Sequence, residues 1–258
     1  MEIKGLEELR NHVPDLRSPV RSAWIGILAA TIFTLMSDFY ILVNRILPIW
    51  GPDGQIIFTT IGFLLLRMFF TRKKVYIERY GDLAYRNAFG RFALPGLMLI
   101  FASVAYTGYI PGPRIPISWW ASVTPYLGWY FLLVGVTLWI RTILTFGLDN
   151  LAMLYVYFPE RGHRVASSMY EMLRHPVYAG VLRLGMGLAF LNGNIFAIIF
   201  GLLILPLGLN AWVRLVEEKE LIERFGNDYV EYRKVTPAFW PRLNNLGKFY
   251  HFLLKGDR

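Results

Sequence analysis

Six apolar runs, at 23–43, 56–70, 92–110, 126–148, 177–191 and 195–213, constrain this chain more than any other feature. A helix needs about 20 apolar residues to cross the hydrocarbon of a bilayer, and most of these runs supply them. Inside lipid the backbone must satisfy its own hydrogen bonds, so runs of this length fold as helices. The expected fold class is therefore all-α, a polytopic transmembrane bundle of about six spans. The run at 177–191 is short and need not cross fully. Composition agrees: 55% of the residues are hydrophobic and 16% aromatic, above the soluble average.

The net charge of +9 does not point to nucleic acid, because Lys and Arg lie between the apolar runs rather than in one basic module. Lys4, Arg10, Arg17 and Arg21 precede the first run, and Arg72, Lys73, Lys74, Arg79, Arg86 and Arg91 follow the second. Arg161, Arg164 and Arg174 follow the fourth, and nine Lys or Arg lie from Arg214 onward. The alternate loops carry only Arg45 and Arg114. This asymmetry predicts an integral membrane protein with both termini cytoplasmic and some attraction to anionic lipid. The first nineteen residues lack a signal-peptide pattern, so the first span is expected to be retained. With no Cys, disulfides, cysteine-held zinc and a thiol nucleophile are excluded, and no metal site is expected.

The last two runs form a hairpin turning at Asn192-Gly193-Asn194, and polar clusters flank it. On one side stands Arg174-His175-Pro176-Val177-Tyr178-Ala179-Gly180. Pro176 suits the first turn of a helix, and the N–H groups after it can seat an anion. On the other side stands Glu217-Glu218-x-x-Leu221-x-x-x-Phe225-Gly226-x-x-Tyr229-x-x-Tyr232. Helical spacing puts Arg214 on one face with Glu217 and Glu218, so one carboxylate can point into the bundle while the other holds Arg214. Gly226 suits a helix stop, and Tyr229 and Tyr232 share a face beyond it. A hairpin in the membrane returns both clusters to one surface, there to form a single pocket. Arg183 and Asn210, inside the hairpin, either line a passage or pair with each other.

In order and spacing these two clusters resemble the superfamily of isoprenylcysteine carboxyl methyltransferases and phospholipid N-methyltransferases, over roughly the last third of the chain. The resemblance implies a membrane methyltransferase moving a methyl group from S-adenosylmethionine to a lipid or lipid-linked carboxylate or amine, at a cytoplasmic active site. It implies cofactor binding by His175, Tyr178, Gly180, Glu217, Glu218, Tyr229 and Tyr232; as catalytic residues Arg214 and Arg174 are expected to orient an anionic head group and Glu217 to serve as a base for an amine. Tyr170 matches a tyrosine that commonly precedes the first motif. Many members carry arginine shortly before the last proline, where this chain reads Val235-Thr236-Pro237-Ala238-Phe239-Trp240. The organisation expected is 1–165 as N-terminal spans on the acceptor side, 166–245 as the methyltransferase-like core, and 246–258 as an amphipathic tail, on the membrane or packed. Two other readings stay open: an NADPH-dependent membrane sterol or enone reductase with a similar hairpin, and a non-catalytic lipid-binding protein.

Overall fold

The computed structural model describes residues 4–161 and 167–256; Arg164 and Arg258 of the charge pattern lie outside them. Among the described residues the architecture is all-α, without a β-strand. Five stretches are long and apolar enough to cross a membrane: Pro19–Ile46, Pro48–Thr71, Lys73–Tyr106, Trp120–Phe146 and Ile195–Phe225. We label Pro19–Ile46 α1 and Pro48–Thr71 α2. The third stretch is broken by Gly81 at φ 53°, a conformation that ends a right-handed helix. It therefore divides into α3, Lys73–Tyr80, and α4, residues 84–106. Trp120–Phe146 is α5, Pro176–Asn192 is α6, and Ile195–Phe225 is α7. Gly226, at φ 62°, stops α7 as its place in the motif predicts. Asn227–Val235 is α8 and Leu246–Lys255 is α9.

The fifth apolar run is α6, whose 17 residues span about 25 Å at 1.5 Å per residue, short of a hydrocarbon core about 30 Å thick. It is the interior helix. Val181, Leu182, Gly185, Gly187, Ala189 and Phe190 are all buried, and α5 packs along its length. Small residues permit that approach: a Cβ on Gly187 would stand 2.8 Å from the Leu132 backbone nitrogen, and one on Gly128 would stand 3.0 Å from that of Leu191. Packing of this kind holds helices together in lipid, where apolar burial gives no preference for protein over solvent.

One end of the bundle is closed by the hairpin turn. Asn194 donates from Nδ2 to the Ile110 carbonyl (2.6 Å), and Trp120 Nε1 donates to that of Gly193 (3.1 Å). The other end carries both polar clusters. The C-terminal segment wraps there, Arg174 and His175 donating backbone N–H groups to the Pro237 and Ala238 carbonyls at 2.9 and 3.1 Å. Arg183 is bonded to carbonyls and not to Asn210: its Nη1 donates to those of Ala179 (2.8 Å) and Phe239 (3.1 Å). Its guanidinium lies 4.3 Å from the Trp240 ring centroid. This buried cation thus anchors the returning chain instead of lining a passage. The tail helix α9 is packed, burying Phe249, Phe252 and Leu253, and Arg141 donates to the Leu253 and Leu254 carbonyls at its end.

Valine at Gly187 drives a β-branched side chain into the α5 backbone. The expected cost is about 1–3 kcal/mol, read as a lower melting temperature in detergent. Alanine at Gly180, whose Cβ would meet Trp139 at an ordinary 3.4 Å, should leave melting nearly unchanged.

Candidate active site

Pro176 opens α6 as its first residue, and His175 precedes it at φ −126° and ψ 68°, outside the helical region because the proline ring excludes it. Arg174 and His175 therefore project from a fixed corner. On the opposing element, α7 departs from a uniform α-helix. Its Val213–Glu217 turn is a π-helix, whose i→i+5 bonds widen the turn and shift the register of the residues beyond it. That turn explains where the three charges go. Arg214 is exposed and stands apart from the cluster, whereas Glu217 and Glu218 turn toward α6.

Glu218 is 1% exposed and is held from several sides. Arg174 reaches its Oε1 with Nη2 at 2.9 Å and Nε at 3.0 Å, and His175 Nε2 lies 3.3 Å from the same oxygen. Arg233 of α8 approaches Oε2 at 3.3 Å, and the Tyr229 hydroxyl donates to Oε1 at 3.5 Å. Arg174 also donates from Nη1 to the carbonyls of Arg233 and Thr236. Its guanidinium is thus committed to the protein. Glu217 is placed differently: Oε1 lies 3.3 Å from His175 Nδ1, while Oε2 is buried without a partner.

Beside this cluster is a cavity of about 570 Å³, within the range of ~300–1,000 Å³ usual for small-molecule sites. Its polar lining includes Tyr170, His175, Tyr178, Glu217, Arg224 and Tyr232. Its apolar lining includes Leu66 and Phe70 of α2, Leu97 and Phe101 of α4, and Trp139 and Ile143 of α5. Glu220, Leu221, Arg224 and Phe225 extend the wall along one face of α7, and Asp228 and Tyr229 continue it into α8. Four of the wall's side chains hold buried polar atoms without a protein partner: Trp139 Nε1, Tyr170 Oη, Glu217 Oε2 and Arg224 Nε. Such atoms are costly in a folded protein unless something else satisfies them.

Most of the residues expected at the site are brought together here. Arg174, His175, Tyr178, Glu217, Tyr229 and Tyr232 line the cavity. Glu218 lies behind it, as the node that holds Arg174 and His175. Gly180 faces Trp139 and Gly135 of α5. Residues 1–165 are expected on the acceptor side, but no individual residue is read from the sequence in three parts of the wall. The α7 stripe at Glu220 and Arg224 was legible as spacings of three and four from Glu217, whereas the α2–α4 wall and the loop after α5 carry no local signal.

Burial opposes charge on His175, but the Glu217 and Glu218 carboxylates outweigh it and hold its pKa above the ordinary 6.5. Burial, reinforced by Glu218, keeps the Tyr229 hydroxyl protonated far above the usual tyrosine range.

A model of the phospholipid methyltransferase family matches residues 123–228. A similar curated protein is protein-S-isoprenylcysteine O-methyltransferase B of Arabidopsis thaliana, 27% identical over 154 residues, which cover 59% of this chain and 75% of that protein. No solved structure matches the chain.

Replacing Glu218 by alanine leaves Arg174 and His175 buried without their counter-charge, a change that typically costs about 3–5 kcal/mol. A large fall in melting temperature is expected, against a small one for Glu217→Gln. The histidine adds a pH dependence. A group whose folded pKa is raised contributes its full stabilisation below its unfolded pKa and loses it as pH rises through the folded value. Melting temperature should therefore decline from about pH 6.5 upward, and His175→Gln should remove that part of the slope.

Proposed function

We propose, from the premise that this chain belongs to the superfamily of isoprenylcysteine and phospholipid membrane methyltransferases, that it transfers a methyl group from S-adenosylmethionine to a lipid or lipid-linked acceptor. The observation that carries this reading is the meeting of the two polar clusters at one cavity that is lined by both polar and apolar side chains. An amphiphilic pair of ligands fits such a cavity: a zwitterionic nucleoside against the polar side chains and a lipid head with its first carbons against the apolar ones.

The wall chemistry fits the donor. Glu217 Oε2 is a free acceptor for a hydroxyl or ammonium group, and Arg224 Nε and the Tyr170 hydroxyl are free donors for a carboxylate or a heteroatom. When bound, S-adenosylmethionine supplies an electrophilic methyl group on a sulfonium. Tyr178, Tyr229 and Tyr232 line the same cavity, and an aromatic face favours a cation. In this reading Glu217 and His175 touch ligand, and Arg174 is a positioning residue. Arg214, on the exposed face, has no part in binding the donor. A protonated amine acceptor must lose a proton before transfer, whereas a carboxylate acceptor needs no base. The remaining rate enhancement comes from alignment and the exclusion of water. The polar clusters would face the cytoplasm, as the loop charges predict, and α1 to α5 would form the acceptor side.

Isothermal titration of S-adenosylhomocysteine into detergent-purified protein tests the donor half. Saturable binding is expected, weakened about tenfold or more by Glu217→Ala, the loss of a hydrogen bond to a charged group being worth about 1.5–3 kcal/mol. A folded wild-type protein that binds nothing would remove the reading. Phe101→Arg, in the apolar lining, should leave that affinity intact and abolish transfer of labelled methyl groups from methionine to lipid in cells.

A further inference from the structure

We propose that the N-terminal segment is a latch that shapes the cavity wall, with Gly5 and Asp149 as its positioning pair. Of its two readouts, ligand affinity rests on the function just proposed and hydrogen exchange does not. The wall segment concerned is 147–156, which supplies Leu148, Asn150, Leu151, Met153, Tyr155 and Val156 to the cavity. It consists of short helical turns, and Met153 sits at φ 56°, a left-handed conformation that a side-chain-bearing residue holds only when its surroundings impose it.

The surroundings include residues far away in sequence. Leu148 donates its backbone N–H to the Lys4 carbonyl at 2.9 Å, and Lys4 Nζ donates to that of Thr145 at 2.6 Å. Gly5 lies against Asp149 so closely that a Cβ would overlap the carboxylate, and a Cβ on Gly147 would stand 2.5 Å from Oδ1. Both glycines have positive φ, 77° and 91°. Asp149 is 4% exposed, and its Oδ2 accepts from the Tyr155 hydroxyl at 2.5 Å. One buried carboxylate thus connects the strap to a side chain of the wall. Farther along, the His12 ring lies 4.3 Å from that of Phe158, Val13 is buried in the core, and Asp15 pairs with Arg86. These bonds fix the strap at both ends.

The match to the methyltransferase family begins at residue 123, so nothing in it gives residues 4–17 a role. Their geometry does. They touch the wall from outside, where they can set its shape without contacting ligand, and a wall held in place before binding saves the cost of ordering it on binding.

The decisive variant is Gly5→Val, which forbids the backbone conformation and strikes Asp149. Hydrogen exchange of peptides covering 147–158 should accelerate about tenfold, and the affinity for S-adenosylhomocysteine should fall about tenfold. Asp149→Ala should loosen the same peptides. The double variant should exchange no faster than Gly5→Val alone, because both break one connection. If Gly5→Val does not fold, deletion of residues 1–5 removes the contacts of Lys4 and Gly5 with residues 145–149 without a clash and is read in the same way. Wild-type exchange in a folded variant, or additive effects in the double variant, would overturn the latch. A wild-type protein that binds no S-adenosylhomocysteine would overturn the proposed function, and the exchange data would then decide the latch alone.

Discussion

The arrangement depends on a carboxylate taken out of water. Glu218 stands at the end of a membrane helix with almost no exposure, where an ionised group is unfavourable unless its charge is matched and its oxygens are bonded. The match comes from two places in the chain: Arg174 and His175 before α6, and Arg233 and Tyr229 on α8. Meeting that demand brings the start of one hairpin helix against the end of the other and folds α8 back over both. The cavity is what remains beside this knot. Glu217, one residue earlier, points elsewhere on the helix and keeps one oxygen free. Adjacent identical side chains thus acquire different duties from their surroundings alone.

Regular helices would not produce this geometry. Pro206 lacks the N–H that would bond the carbonyl four residues earlier, and the π turn at Phe200–Ile204 lies just before it. The second π turn, Val213–Glu217, lies where α7 reaches the cluster. On the other side, the glycine-lined approach of α5 to α6 brings Trp139 beside the start of α6. Irregular backbone and missing side chains, each unfavourable in isolation, are tolerated because they bring the charged knot and the apolar wall to one place.

Much of this was legible in the residues. Apolar runs gave the helices because lipid leaves the backbone no other solution, although the helices run past the runs into polar flanks: α1 begins at Pro19 under a Ser18 cap, ahead of the run at 23. Spacing around Pro176 and Gly226 gave the corner and the stop, since both residues restrict the backbone locally. Helical spacing misplaces Arg214 on the face of Glu217 because it carries a 3.6-residue period through a turn that is not an α-turn. Glu218 reads as a ligand group in the sequence, and only the fold shows it bonded to Arg174 and His175, since a sequence shows charge but not which neighbour claims it. Gly180 reads as part of its motif, and only the position of α5 shows that it faces a neighbouring helix. The loop after α5 is invisible for a further reason: its conformation is set by Lys4 and Gly5, about 140 positions away.

The charge arithmetic of the cavity bears on the chemistry proposed. Arg174 spends its donors on Glu218 and two carbonyls, and Arg224 is paired with Glu220 at 3.3 Å, leaving its Nε open. A carboxylate against the apolar lining would therefore find no unclaimed guanidinium among Leu66, Phe70, Leu97, Phe101, Trp139 and Ile143. In the function proposed, the counter-charge for such an acceptor is the sulfonium of the donor itself, which disappears as the methyl group leaves. A site without a competing fixed cation would release the neutral ester more readily than it holds the anion. An amine acceptor differs in that it must lose a proton before it can attack. Either way the protein contributes little free charge at the reacting centre, and its main contribution is a rigid space that keeps water out.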